Sequence, residues 1–378
     1  MTARTVLLAH ASAELYGSDR VFLESVTALR EAGWRVVVTL PQHGPLAPAV
    51  EKTGATVTFC PAPVLRKTAL RPAGLLRLFA ETLRGIAPAW RLLREHRPAL
   101  VYVNTVTVPL WLPLARLSGS KVLAHVHEAE DAVPKPIRVA LATPLLAAHC
   151  VVVNSAATGA VVREALPRLG RRTTLVYNGI PGPVEAAVKP DPAKPLRILL
   201  VGRVSPRKGT DVAVEAMALL RRDGTKATLD IVGSVFPGYE WFEDRITALI
   251  ELGGLGDSVR LNGFHREVWD AYRQADIAIV PSLVEPFGNT SVEAQLAGVP
   301  VIVTDAQGLP ETVDAGRFGT VVPAGDPGAL AAAIRSLAEN WSATRERAEL
   351  AQRDAVVRFA VKRYRREIAE LADHLVGQ

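Results

Sequence analysis

Short apolar, β-branched runs alternate with amphipathic stretches along the whole chain. The run Val6-Leu7-Leu8-Ala9 is followed by a helical pattern over 21–31, then Gly33 and the run Val36-Val37-Val38. Further strands are predicted over 100–103, 121–126, 151–153, 198–201, 228–232, 258–261, 278–280 and 299–303. Runs that are apolar without alternation suit strands covered on both faces, and their separation by helical patterns predicts parallel α/β sheets. Between 181 and 195 five of 15 residues are proline, the composition of an interdomain linker. The pattern therefore predicts two Rossmann-like domains, 1–182 and 196–355, joined by a linker at 183–195 and followed by a closing helix over 356–378. In such open sheets ligands sit at the carboxyl ends of strands, so residues just after strands are where chemistry is sought.

Composition narrows the class. A chain of 378 residues is long enough for two or three domains with cores of their own. Its 49% hydrophobic and 22% charged residues exclude a disordered chain. Two cysteines, Cys60 and Cys150, exclude a disulfide scaffold and a Cys-rich zinc module, and suit a reducing compartment. The apolar start is too short for a secretory signal. The longest uncharged stretch, 139–162, is broken by Pro144, His149, Asn154 and Ser155, so it makes a poor membrane span. The chain reads as soluble and cytoplasmic.

Charge changes the picture of the first half. Residues 1–190 hold 22 Lys/Arg against 12 Asp/Glu, whereas 191–378 hold 22 against 26. The excess points to an anionic partner for the first half. It is densest over 63–97, with Arg66, Lys67, Arg71, Arg77, Arg84, Arg91, Arg94 and Arg97 against Glu81 and Glu95. Arg77, Arg84 and Arg91 repeat at seven and share one helical face, while Leu75, Leu76, Leu78, Phe79, Leu83, Ile86 and Trp90 supply apolar surface. This segment is either a helix lying on an anionic membrane or a core-packed helix with a solvated basic face.

Two constellations carry the chemistry. After the strand at 198–201 comes Gly202-Arg203-Val204-Ser205-Pro206-Arg207-Lys208-Gly209, with a helix expected from about Thr210. Gly202 lets the backbone turn close to a ligand, and Arg203 and Lys208 suit one anion such as a diphosphate. At about 4 Å and an effective dielectric of about 20, each such pair gains about 4 kcal/mol before desolvation. The loop is neither a Walker A motif nor GxGxxG. After the strand at 278–280 comes Glu285-Pro286-Phe287-Gly288-Asn289-Thr290-Ser291-Val292-Glu293. Asn289 or Thr290 is expected to cap a helix whose free N–H groups would seat a phosphate. Glu285 and Glu293, eight apart, could both accept paired hydroxyls of one polyhydroxylated ligand. Alternatively Thr290 and Glu293 form a capping box.

Gly-Arg-x4-Lys-Gly, the E-x7-E stretch and Gly308-Leu309-Pro310-Glu311, taken in order, resemble a retaining glycosyltransferase of family 4. The segments Tyr16-Gly17-Ser18-Asp19-Arg20 and Asn178-Gly179-Ile180 are similar too, although the family often has two adjacent glycines where this chain has Tyr16-Gly17. The resemblance implies the GT-B fold, two Rossmann-like domains facing across a cleft. It implies that Arg203 and Lys208 bind the donor diphosphate and stabilise it as it leaves. It implies that Glu293 holds the nucleotide ribose and that Glu285 contacts the donor sugar. Backbone around Gly202, Phe287, Gly288, Asn289 and Thr290 would line the donor, and Gly17 would let its loop approach the phosphates. His127 matches the family's active-site histidine, with His125 as a rival, and Glu128, Glu130 and Asp131 stand beside it unassigned. Base recognition is expected at backbone near Gly263 and Phe264.

No Asp-x-Asp motif is present, and Arg203, Lys208 and a helix end can supply positive field, so neither a metal nor a cofactor is expected. No position clearly supplies a carboxylate nucleophile for double displacement, which leaves front-face substitution. The expected partners are a UDP- or GDP-sugar donor and a glycan or lipid-linked acceptor. Other readings are a GT-B epimerase or phosphorylase, a non-catalytic two-lobed binding protein, or a nucleic-acid binder. The last is disfavoured by the 6% aromatic content, which leaves the basic residues without interleaved stacking groups.

Overall fold

The computed structural model describes residues 4–65, 72–129, 133–184, 191–235, 238–265 and 267–377. Arg66, Lys67, Arg71, Glu130 and Asp131 lie outside the described residues. The chain forms two compact units, 1–179 with 361–378, and 180–360.

The first unit is built on a sheet of seven parallel strands: β1 (Thr5–His10), β2 (Arg35–Leu40), β3 (Thr56–Phe59), β4 (Leu100–Asn104), β5 (Lys121–Val126), β6 (Cys150–Val153) and β7 (Thr173–Leu175). Their order is β3-β2-β1-β4-β5-β6-β7. The second unit has six: β8 (Leu196–Val201), β9 (Ala227–Val232), β10 (Val259–Leu261), β11 (Ile277–Val280), β12 (Val301–Thr304) and β13 (Thr320–Val322), in the order β10-β9-β8-β11-β12-β13. Both are doubly wound, with the order reversing between β1 and β4 and between β8 and β11. In open sheets of this kind ligands bind at such switch points, beyond the carboxyl ends of the strands.

Alternate residues of the central strands feed opposite layers. Ile198, Leu200, Ile277 and Ile279 join one core of the second unit, whereas Leu199, Ala278 and Val280 join the other. Two covered faces explain why these strands read as unbroken apolar runs. Cys60 and Cys150 are both buried free thiols, and burial raises the pKa of each, that of Cys60 to about 11.

The two units meet between Gly179 and Ile180, so the described parts of the proline-rich stretch, 181–184 and 191–195, group with the second unit, and 185–190 lie outside the described residues. After the helix Trp341–Arg358 of the second unit, the closing helix expected over 356–378 starts at Val361 and runs to Gly377, in the first unit. It packs on the helix Gly17–Glu31, where Arg365 pairs with Glu24 at 2.6 Å and Glu31 at 2.8 Å. The resemblance at Asn178-Gly179 gains a reason here. A Cβ on Gly179 would lie 2.6 Å from Cβ of Tyr364.

The basic segment contains a helix, Pro72–His96. Gly85, Ala89 and Leu93 are turned inward, and Arg77, Arg84 and Arg91 are exposed on one face as the sevenfold spacing predicts. Leu76, Phe79, Leu83 and Ile86 are exposed as well, at 74%, 63%, 55% and 38%. Their 3-4-3 spacing makes an apolar strip beside the arginines. Among the described residues no helix is long and apolar enough to cross a membrane.

Candidate functional site

In the second unit, two loops at the switch point hold each other. The loop after β8 ends in Gly209, whose φ of 64° is left-handed, and a Cβ there would lie 1.9 Å from the carbonyl oxygen of Pro281. Only glycine allows this approach. Leu283 N–H donates to the Arg207 carbonyl at 2.8 Å across the same junction. The result brings the Lys208 ammonium into an ion pair with Glu285 Oε2, both groups largely shielded from water. Ser282 Oγ donates to the same Oε2 at 3.2 Å, and Gly308 N–H donates to the Glu285 carbonyl at 3.0 Å. Arg203 is half-buried in the loop after β8. A Cβ on Gly202 would touch the Lys208 stem at 3.7 Å.

The helix after Glu285 runs Asn289–Leu296 and its N-cap is Gly288, at φ 108°. This replaces the expected Asn289 or Thr290 cap. Glu293 is therefore the fifth helical residue, past the first turn, and the Thr290–Glu293 capping box does not form. The Glu293 carboxylate instead accepts from Tyr272, whose hydroxyl lies 3.1 Å from Oε2 and 3.1 Å from the Thr290 carbonyl. Burial, then the nearby Glu293 charge, pushes the Tyr272 hydroxyl well above its ordinary pKa. The Phe287 ring is buried edge-on against Phe359, 5.7 Å between centroids, so this residue can offer a ligand its backbone only. Thr290 Oγ1 is buried and meets no hydrogen-bond partner among the described residues. Behind β10, Gly233 N–H donates to the Gly263 carbonyl at 2.8 Å, and the Phe264 side chain is exposed.

The first unit has its own polar cluster at its switch point. His125, inside β5, is fully buried with Nδ1 2.5 Å from the Tyr102 hydroxyl. His127, just past β5, is half-buried, with Nε2 3.0 Å from Asn104 Oδ1. Burial lowers both imidazoles, His127 to about 3, with a smaller push from His10. Position separates the rivals: the His127 ring retains access and the His125 ring has none. Glu128 accepts from Thr105 Oγ1, from His127 N–H at 3.1 Å and from Val106 N–H at 3.4 Å, and burial raises its pKa. Thr105 holds φ at 125°, a strained backbone for a β-branched residue. Gly17 is the first residue of its helix, and Tyr16 N–H donates to Asp19 Oδ2 at 2.9 Å.

Sequence reasoning missed Tyr272, Ser282, Asn104 and His10. His10 and Asn104 end strands at the switch point and could have been found by that rule. Tyr272 stands 21 residues before Glu293, with no local signal linking them. Among the described residues no three His, Cys, Asp or Glu side chains group in a way that could hold a metal ion.

Residues 184–354 match the family described as glycosyl transferases group 1, and residues 16–181 match glycosyltransferase family 4. The chain belongs to glycosyltransferase family 4. Among curated relatives of this family 4 chain, the amylovoran biosynthesis glycosyltransferase AmsK of Erwinia amylovora is 34% identical over 154 residues, 39% of this chain and 37% of that protein. A glycogen synthase of Mycobacterium tuberculosis is 33% identical over 184 residues, 47% of this chain and 43% of that protein. The matches thus span well under half of these relatives' length. Among solved structures, Anabaena HepE in complex with UDP and glucose has a TM-score of 0.82 at 22% identity, covering 97% of this chain and 99% of that one. Sucrose-phosphate synthase of Thermosynechococcus elongatus has a TM-score of 0.78 at 22% identity, covering 99% of both. At these identities the likeness is one of fold, and that fold is GT-B.

Proposed function

We propose that this family 4 chain is a retaining, metal-independent hexosyltransferase that moves a sugar from a nucleotide diphosphate to a hydroxyl of a cell-envelope glycan or glycolipid. The observation that carries the reading is the Lys208–Glu285 pair at the β8/β11 switch point. Lys208 has three donors, so it can hold Glu285 and still face a phosphate. Arg203 on the same loop and the Asn289–Leu296 helix start add positive field. The unpartnered Thr290 hydroxyl is a ready donor to a phosphate oxygen there. This set does the work a divalent cation does elsewhere. Both bonds to Glu285 use Oε2, so Oε1 is the oxygen available to sugar hydroxyls. Glu293, steadied by Tyr272, accepts from the ribose. HepE, with UDP and glucose bound, favours a uridine donor.

The chemistry is front-face substitution. The anomeric C–O bond to the diphosphate breaks, its electron pair going to the phosphate oxygen. The acceptor oxygen bonds the anomeric carbon on the same face, and its proton passes to that phosphate. Arg203 and Lys208 stabilise the charge that grows on the leaving group. The test is to incubate the protein with UDP- and GDP-sugars and envelope glycan or lipid fractions in EDTA, and to determine the product's linkage by NMR. A product of retained configuration supports the reading, and an inverted one ends it.

The acceptor side of the reading includes peripheral contact with an anionic membrane. The exposed strip Leu76, Phe79, Leu83 and Ile86 beside Arg77, Arg84 and Arg91 favours it. An apolar face beside exposed arginines suits the headgroup boundary, where each cation gains about 1 kcal/mol. Sedimentation with anionic and neutral vesicles tests this contact.

A further inference from the structure

Four polar side chains of the first unit form one unbroken line. His10 ends β1, Asn104 ends β4, His127 follows β5, and Asp19 lies in the first turn of the helix Gly17–Glu31. Asp19 Oδ1 is 2.8 Å from His10 Nε2, His10 Nδ1 is 3.0 Å from Asn104 Nδ2, and Asn104 Oδ1 is 3.0 Å from His127 Nε2. His10, Asp19 and Asn104 are all buried.

The proton positions follow from the Asp19 end. A carboxylate only accepts, so His10 Nε2 carries a hydrogen and donates it. Asn104 turns Nδ2 to His10, and an amide nitrogen only donates, so His10 Nδ1 is a lone pair that accepts. The same orientation turns Asn104 Oδ1 toward His127. An amide oxygen accepts, so His127 Nε2 carries the hydrogen. His127 Nδ1 is then the lone pair, and among the described residues it meets no hydrogen-bond partner.

We propose that Asp19, His10 and Asn104 are positioning residues that lock His127 in its Nε2–H tautomer, so that Nδ1 offers a ligand hydroxyl an acceptor and never a donor. Asp19 also holds the backbone of the glycine loop through Tyr16 N–H, which ties the His127 tautomer to the start of that helix. Burial, which keeps His127 neutral, agrees with the assignment. Only the identity of the hydroxyl, as one from a sugar, rests on the glycosyltransferase reading.

The experiment is long-range proton–nitrogen NMR of the histidine side chains in the full chain at neutral pH, with His127 assigned through His127→Gln. The wild type is expected to show His127 protonated at Nε2 and bare at Nδ1. Asn104→Leu removes the acceptor and the donor together and is expected to give a mixture of tautomers at His127. Asn104→Asp still accepts from His127 Nε2–H and calls a second proton onto His10, so the His127 tautomer is retained while His10 becomes doubly protonated. In turnover, Asn104→Leu is expected to lower kcat on the order of 10- to 100-fold with unchanged nucleotide affinity, and Asn104→Asp to restore most of it. An Nδ1–H or doubly protonated His127 in the wild type overturns the proposal without needing any variant to fold, as does an unchanged tautomer in folded Asn104→Leu. The tautomer is read without turnover, so a missing transferase activity would count against the function alone.

Discussion

The phenolic oxygen of Tyr272 lies 3.1 Å from Glu293 Oε2 and 3.1 Å from the carbonyl oxygen of Thr290. One buried hydroxyl thus anchors both the second glutamate of the E-x7-E stretch and the start of its helix. Tyr272→Phe is expected to cost about 1 kcal/mol in stability and to weaken nucleotide affinity about fivefold. Chemical denaturation and calorimetry check the two effects separately. An unaltered affinity would mean that Glu293 does not touch the nucleotide.

Lys208 pairs with Glu285, and in the proposed donor complex it also faces the diphosphate. Lys208→Ala is expected to weaken UDP or GDP about 10- to 100-fold, the loss of one charged hydrogen bond. Glu285→Gln removes a negative charge beside the phosphates, so nucleotide alone is expected to bind at least as well while sugar transfer falls. Nucleotide titration and turnover of the two variants read these opposite signs.

The junction at Gly209 has no room for a side chain. Gly209→Ala would put a Cβ 1.9 Å from the Pro281 carbonyl oxygen on a left-handed backbone. The strained backbone alone costs about 1 kcal/mol, and the collision adds to it by separating the two loops. Lower thermal stability and lost nucleotide binding are expected together.

His127 is held neutral in the folded protein, with its pKa lowered from 6.5 to about 3 by burial. The unfolded chain therefore binds more protons between those values, and folding stability rises with pH from about 3 to 6.5. His125, lowered in the same direction, adds to the slope. His127→Gln is expected to flatten the acid side of a urea-denaturation profile taken across this range. A steeper profile would contradict the buried neutral assignment.

The strip on the helix Pro72–His96 makes a salt-dependent prediction. Phe79→Ser/Leu83→Ser is expected to abolish sedimentation with anionic vesicles at any salt. Arg84→Glu/Arg91→Glu is expected to abolish it at low salt, where wild-type binding is strongest. Equal binding of wild type and both variants would remove the membrane contact.

Much of this was legible in the sequence because its signals are local. A buried parallel strand announces itself as an apolar run, so the central strands of both sheets could be read. The short edge strands β3 (Thr-Val-Thr-Phe) and β7 (Thr-Thr-Leu) could not, since two of four positions in the first and two of three in the second are polar. Gly-Arg-x4-Lys-Gly and E-x7-E placed Lys208 and Glu285, yet their ion pair is a tertiary fact across 77 residues. The capping-box reading failed because Thr290-x-x-Glu293 fits two geometries. The left-handed Gly288 puts the cap two residues before Thr290 and leaves Glu293 to Tyr272. The Asp19–His10–Asn104–His127 line joins four separate segments, so no window of sequence contains it.

The proposed function stands on a metal-free diphosphate site built on Arg203, Lys208 and the helix that follows Gly288. The most direct test is calorimetric titration of UDP, GDP and ADP into the protein in EDTA, beside Arg203→Ala/Lys208→Ala. One nucleotide is expected to bind with micromolar affinity, about −8 kcal/mol, and the double variant to lose it. Absence of binding in EDTA that is restored by Mg²⁺, or equal binding by the double variant, would contradict the proposed site.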